Sequence, residues 1–269
     1  LGGAQHPGKP ADPIIVHPDV RRMLMTMRAQ TEGCRALALW TALEQDVALR
    51  HPDAAEREAA DDFVQLITPV VTAYLTDMGW DSTALGMQVL GGHGYIREWG
   101  MEQYVRDARI AQIYEGTNGI QALDLVGRKM GQHAGRYLRR FFHPVLAYIE
   151  ARSETPAMEE FVLPLSKAFG RLQSATAEVA RRGMGDPFEA GAAATDYLRL
   201  FGLTALAYCW ARMAEAALAK GDGEDAAFYR AKLTTARFFM QRILPQTGAL
   251  SAQIMAGGAV LREMEEAAF

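Results

Sequence analysis

Apolar side chains recur every three or four residues at Val20, Met23, Leu24, Met27, Cys34, Leu37 and Thr41, the spacing that gathers them on one face of a helix. His17-Pro18-Asp19 supplies a start, because proline fits the first turn, where its missing N–H is not needed. After a break at His51-Pro52-Asp53 the same period returns at Ala60, Phe63, Val64, Ile67, Val71, Tyr74, Leu75 and Met78. A second long helix can thus lie antiparallel to the first, as half of a bundle. A shorter helix is expected from about Ser82 to Leu90, stopped by Gly91-Gly92. Gly94 to Gly100 reads as a loop, and Met101 to Ala108 restarts a helix. Tyr114-Glu115-Gly116-Thr117-Asn118-Gly119 then interrupts the pattern with two glycines before Ile120, Leu123, Val126 and Met130 resume it, which sets Glu115 on a loop between helices.

Beyond Gly131 the chain turns to Ala-rich helical stretches, punctuated near Glu154-Thr155-Pro156, Gly183 to Pro187, Gly221-Asp222-Gly223 and Pro245. About four more helices fit. Phe161, Val162, Leu165, Phe169, Leu172 and Val179 form one apolar face among them. No strand-like alternation of useful length and no short-period repeat occurs, so the expected fold is all-α, an antiparallel helical bundle over 14–131 followed by a second helical domain over 140–265.

Composition narrows the function classes. The 269 residues are 49% hydrophobic and 22% charged, ordinary for a folded domain. A net charge of -4 gives no electrostatic reason to bind nucleic acid. No apolar run reaches the ~18 residues of a transmembrane segment. Cys34 and Cys209 are far apart and read as small buried side chains, and no His cluster has metal-ligand spacing, so no metal is expected. Trp40, Trp80, Trp99 and Trp210 read as core or interface packing. The start, Leu1-Gly2-Gly3-Ala4, lacks an initiator Met and a basic-then-apolar leader, and reads as a cut end.

Three blocks carry the chemistry: Gly86-Met87-Gln88-Val89-Leu90-Gly91-Gly92-His93-Gly94-Tyr95, then Val105-Arg106-Asp107-Ala108-Arg109-Ile110, then Ile113-Tyr114-Glu115-Gly116-Thr117-Asn118-Gly119-Ile120-Gln121. In this order, and with His17-Pro18-Asp19-Val20-Arg21-Arg22 ahead of them, they resemble the C-terminal part of the acyl-CoA dehydrogenase family. Gly119 stands where some members have Gln, with Gln121 two residues later. Residues 140–265 look like the additional helical domain of a longer branch of that family, a region for packing or oligomer contacts.

The resemblance implies α,β-dehydrogenation of acyl-CoA thioesters to trans-2-enoyl-CoA, in which a carboxylate removes the α-proton while the β-hydride moves to N5 of FAD. Glu115 matches that carboxylate. Burial against substrate and flavin would make such a base strong enough for a carbon acid. Gly116 would let backbone approach the substrate closely, and the Thr117 hydroxyl would meet a phosphate oxygen or ribose. Gln88, Gly91 and Gly92 match a segment that contacts the FAD of a neighbouring subunit, making a homo-oligomer, dimer or tetramer, part of cofactor binding. Arg106 and Asp107 are expected to form structural ion pairs or hydrogen bonds near the site.

The family's electron acceptor, an electron-transfer flavoprotein, would be the partner, in bacterial cytosol or mitochondrial matrix. The N-terminal helical and middle β domains of the family have no counterpart here, so the chain alone is expected to be inactive. Taken singly, Glu115 reads as a solvated loop acid and Gly91-Gly92 as a helix stop. A non-catalytic oligomerisation module of the same ancestry is the competing reading. A DNA-associated branch would need a basic surface, for which Arg139-Arg140 and Arg181-Arg182 are too little.

Overall fold

The computed structural model describes residues 5, 6, 8–221 and 223–268. Leu1 to Ala4, Pro7, Asp222 and Phe269 lie outside the described residues, and with them the expected cut end and the middle of the Gly221–Gly223 break. Every regular element among the described residues is helical: α1 (Pro18–Arg50), α2 (Ala54–Leu90), α3 (Gly92–Tyr95), α4 (Met101–Ile110), α5 (Asn118–Asp124), α6 (Arg136–Arg152), α7 (Glu159–Gly185), α8 (Pro187–Ala219), α9 (Ala226–Phe238), α10 (Gln246–Ala256) and α11 (Ala259–Glu263), with short 3-10 and π segments between them. The fold is all-α, as the periodicity predicts.

Pro18 occupies the first turn of α1. Asp53 caps α2 by accepting from the Ala55 N–H at 2.8 Å. The two helices run antiparallel: Trp40 meets Phe63 with ring centroids 4.4 Å apart near the hairpin's closed end, and Gln30 meets Ser82 at 3.2 Å towards the other. The expected break between Met78 and Ser82 is absent, and α2 continues unbroken to Leu90. The charged and small residues there, Asp77, Gly79 and Asp81, interrupt the apolar pattern without carrying a turn signal.

Beyond α5 a π segment (Leu125–Lys129) leads to His133, Ala134 and Gly135, all left-handed, at φ 49°, 53° and 74°. The helical path is broken there before α6 begins. Buried Asp62 on α2 joins α6 through Arg136 at 2.8 Å and Arg140 at 3.1 Å. At Asp186, which accepts from the Phe188 N–H, α7 gives way to α8. The predicted face of α7, from Phe161 to Val179, is buried.

Helix α8 is the axis of the core. From Leu200 to Ala211 every residue is buried, as expected of a helix apolar all round. It packs on α7, α9 and α10 on one side and on α1, α2 and α5 on the other, so one continuous core runs through the chain. Trp210 is fully buried and Trp40 partly so, whereas Trp99, expected in the core or an interface, is 58% exposed. Burial pushes the thiols of Cys34 and Cys209 up to about 12, leaving them as apolar packing groups.

At the end of α7, Glu178 pairs with Arg181 and Arg182, and Arg182 reaches the Met255 carbonyl of α10 at 2.8 Å. The Arg181 guanidinium, with help from Arg182, holds the Glu178 carboxyl down to about 2. A carboxyl depressed by folding adds stability above its unfolded value, here 4.5, and loses it as pH falls towards 2. Glu178→Gln should therefore flatten the acid limb of a stability-against-pH curve between those values, measured by urea denaturation.

Candidate functional site

Between α4 and α5 the chain forms a seven-residue loop, 111–117, with Glu115 near its apex. The loop is closed at its base. The Asn118 N–H donates to the Gln112 carbonyl at 3.1 Å. Both side chains then turn to α2, where one oxygen of Asp77, Oδ1, accepts from Gln112 Nε2 at 2.5 Å and from Asn118 Nδ2 at 2.7 Å. Asn118 also donates to the Ala73 carbonyl at 3.1 Å. Arg109, its guanidinium 5.8 Å from the Trp80 ring centroid, donates to Gln112 Oε1 at 2.5 Å. Glu115 stands midway between the clamped residues at φ 53°, a conformation rare for a residue with a Cβ, and its side chain is exposed.

At its far end α2 stops because of two glycines with different tasks. Gly91 adopts φ 58°, ψ -143°, open to glycine alone, while a Cβ on Gly94 would lie 2.4 Å from the Met87 carbonyl oxygen. Glycine 94 thus lets α3 fold back onto the last turn of α2. Gln88, Gly91 and Gly92 are exposed on this turn, and the His93 ring packs edge-on against Trp99 at 5.3 Å.

The sequence-predicted residues therefore form two groups. Glu115, Gly116 and Thr117 share the loop beside Asp77, and Gln88, Gly91 and Gly92 share the end of α2. At 1.5 Å per residue Gln88 lies roughly 16 Å further along the helix than Asp77, and Gly91 and Gly92 follow just past the helix end at Leu90. Between them α2 and α4 border an open cleft of about 680 Å³ lined by Trp80, Tyr95, Arg97, Arg106 and Arg109 among others. The expectation for Arg106 and Asp107 is corrected here. Both are exposed, and neither side chain bonds or pairs with another described residue; Arg106 faces the cleft instead.

A larger cleft of about 900 Å³, between the closed end of the α1–α2 hairpin and α6 and α8, is remote from Glu115. Of the four arginines that line it, Arg140 and Arg152 are taken up by Asp62 and Glu215, Arg139 donates to the Ala134 carbonyl, and Arg212 lies over the Tyr208 ring. No group of three or more His, Cys, Asp or Glu among the described residues could hold a metal ion. The exposed Thr117 hydroxyl caps no helix N–H, and the Gln88 amide is likewise exposed, so both are open to the phosphate, ribose and adenosine parts of a dinucleotide. Asp77 and Gln112 escaped the sequence reading, and Asn118 was given no role there beyond its place in the third block. Their one signal was an acid beside the apolar stripe of α2 and amides placed evenly about Glu115.

Residues 4–130 match the family model described as "Acyl-CoA dehydrogenase, C-terminal domain", and residues 141–265 match "Acetyl-CoA dehydrogenase C-terminal like". The chain belongs to the acyl-CoA dehydrogenase family. Among its acyl-CoA dehydrogenase relatives, the 3-methylmercaptopropionyl-CoA dehydrogenase of Ruegeria pomeroyi is 40% identical over 250 residues, covering 91% of this chain and 42% of that protein. A butyryl-CoA dehydrogenase of Syntrophomonas wolfei is 32% identical, covering 97% of this chain and 44% of that protein. The chain thus spans less than half the length of these relatives. The fold is shared with an acyl-CoA dehydrogenase of Bacillus anthracis solved with FAD, at TM-score 0.71 and 17% identity over 95% of this chain and 45% of that one. It is also shared with Caenorhabditis elegans ACDH-11 in complex with C11-CoA, at TM-score 0.69 and 18% identity over 87% and 37%.

Proposed function

We propose that this chain is the C-terminal helical part of a flavoenzyme that α,β-dehydrogenates acyl-CoA thioesters to trans-2-enoyl-CoA, with Glu115 as the base that takes the α-proton. The observation that carries the reading is the Glu115 loop: an exposed carboxylate in a left-handed conformation, on a loop tied down three residues before and three after it. Exposed Ile113, Tyr114 and Ile120 surround it. Whatever covers that apolar rim, substrate or the rest of the enzyme, would also desolvate Glu115 and make it a stronger base.

Bound FAD supplies the acceptor for the β-hydride. Gly116, whose backbone is exposed beside the base, meets the thioester, and Thr117 donates to the flavin's phosphate or ribose part. Gln88, Gly91 and Gly92, well down α2 from the base, serve the FAD of a neighbouring subunit, so the working enzyme is a homo-oligomer. Residues 14–131 form the catalytic bundle, and 140–265 a second helical domain that supports it by packing. An electron-transfer flavoprotein takes the electrons on, in bacterial cytosol or mitochondrial matrix. No helix among the described residues is long and apolar enough to cross a membrane.

Anaerobic addition of acyl-CoAs of graded chain length to the flavin-loaded enzyme containing these residues tests this. Bleaching of the visible flavin band is expected, and the 269-residue chain alone should neither hold FAD nor turn over. Bound FAD that no acyl-CoA bleaches would favour the non-catalytic oligomerisation module instead.

A further inference from the structure

Asp77 is a half-buried acid on α2 that has no cationic partner among the described residues. Its Oδ1 serves two amides, Gln112 Nε2 at 2.5 Å and Asn118 Nδ2 at 2.7 Å. Hydrogen bonds to an ionised acceptor are about twice as strong as neutral ones, and both are committed to one loop. Their placement is symmetric about Glu115. Gln112 precedes it by three residues and Asn118 follows it by three, and the backbone bond from Asn118 to Gln112 closes the span between them. No bond to α2 comes from Glu115 itself.

We propose that Asp77 is the positioning residue for Glu115, the one side chain of the bundle that grips both flanks of the loop, holds Glu115 in its left-handed form and so aims the carboxylate. The proposal rests on the reading of Glu115 as the base. Each amide is oriented for this role by a second contact. Arg109 holds Gln112 Oε1, which turns Nε2 to Asp77, and Asn118 Nδ2 is steadied by the Ala73 carbonyl and by Thr76 Oγ1 at 3.1 Å. Helix α2 is packed on α1, α4, α5, α6 and α8, so the anchor is held from several sides. A left-handed glutamate relaxes to ordinary backbone angles once its flanks are released. Misplacing a reacting group by about 1 Å costs on the order of 100-fold in rate.

Asp77→Ala and Asp77→Asn in the flavin-loaded enzyme test this, with Glu115→Gln beside them. Asp77→Ala should slow flavin reduction by acyl-CoA about ten- to hundred-fold, with FAD content and half-saturating acyl-CoA unchanged. Asp77→Asn, which keeps an acceptor oxygen but not the charge, should fall between. Hydrogen exchange across 111–118, the Asn118 amide included, should quicken in Asp77→Ala while that of α1 does not. A parental rate and unchanged exchange in Asp77→Ala would overturn the positioning role even if Glu115→Gln is slow. A Glu115→Gln enzyme as fast as the parent would instead sink the base assignment, leaving faster exchange in Asp77→Ala as the record of the clamp. Loss of FAD in proportion to rate, with no recovery in Asp77→Asn, would mark Asp77 as merely structural and also overturn the proposal.

Discussion

Glu115→Gln is expected to slow flavin reduction by acyl-CoA by about 10²- to 10⁴-fold, the range associated with losing a positioned general base, while acyl-CoA still binds. Glutamine matches glutamate in shape but does not take up a proton near neutral pH. It is the right replacement because the loop is held from its flanks. Gln112 and Asn118 make the contacts to Asp77, and neither depends on the Glu115 side chain. Glutamine also bears the same left-handed backbone as glutamate, so φ 53° is no harder to hold in the variant. Rapid mixing with acyl-CoA under anaerobic conditions, followed by flavin absorbance, separates the two steps. A perturbed flavin spectrum without bleaching shows binding without proton transfer. Bleaching at the parental rate would move the base to another residue.

The helices were legible because their signals are local. A proline at the first turn, a break at His51-Pro52-Asp53 and a three-to-four spacing of apolar residues locate α1, the start of α2 and the buried face of α7 without tertiary information. The false break near Ser82 shows where such signals fail: polar residues on one side of a long helix look like a boundary until the partner on the other side is known. In α8 the difficulty is the reverse. Its apolar residues fill the whole circumference, so periodicity does not say which face meets which neighbour, and only the fold reveals that it reaches α1 and α2 as well as α7.

The site was legible in part for a similar reason. Glu115 and the glycines around it announce themselves by a short motif, and the loop they predict is the one observed. Asp77 does not, because its partners lie 35 and 41 residues away and nothing in the local pattern links them. Adjacent opposite charges at Arg106 and Asp107 suggested a pair, yet neighbours on a helix point in different directions and these two do not meet.

Trp210→Ala should destabilise the chain by about 3 to 5 kcal/mol, the usual cost of truncating a fully buried large aromatic. The indole is inaccessible to solvent, and its N–H donates to the Ala29 carbonyl of α1 at 3.2 Å. Gly33 leaves it room: a Cβ there would come within 2.7 Å of Nε1. On its other side the ring stacks on Phe239 at 6.3 Å. A helix from the later half of the chain is therefore inserted against the first helix of the earlier half, and the cavity left by alanine would open at their contact. If the shared core makes the two halves one cooperative unit, urea unfolding of the variant should remain a single transition at lower midpoint. Two transitions, only one of them shifted, would mean that the halves fold separately and that α8 merely rests on α1. The single transition carries a consequence for catalysis. The α1–α2 hairpin that carries Asp77 would then owe part of its stability to α8, giving the later half a physical part in holding the loop that bears Glu115.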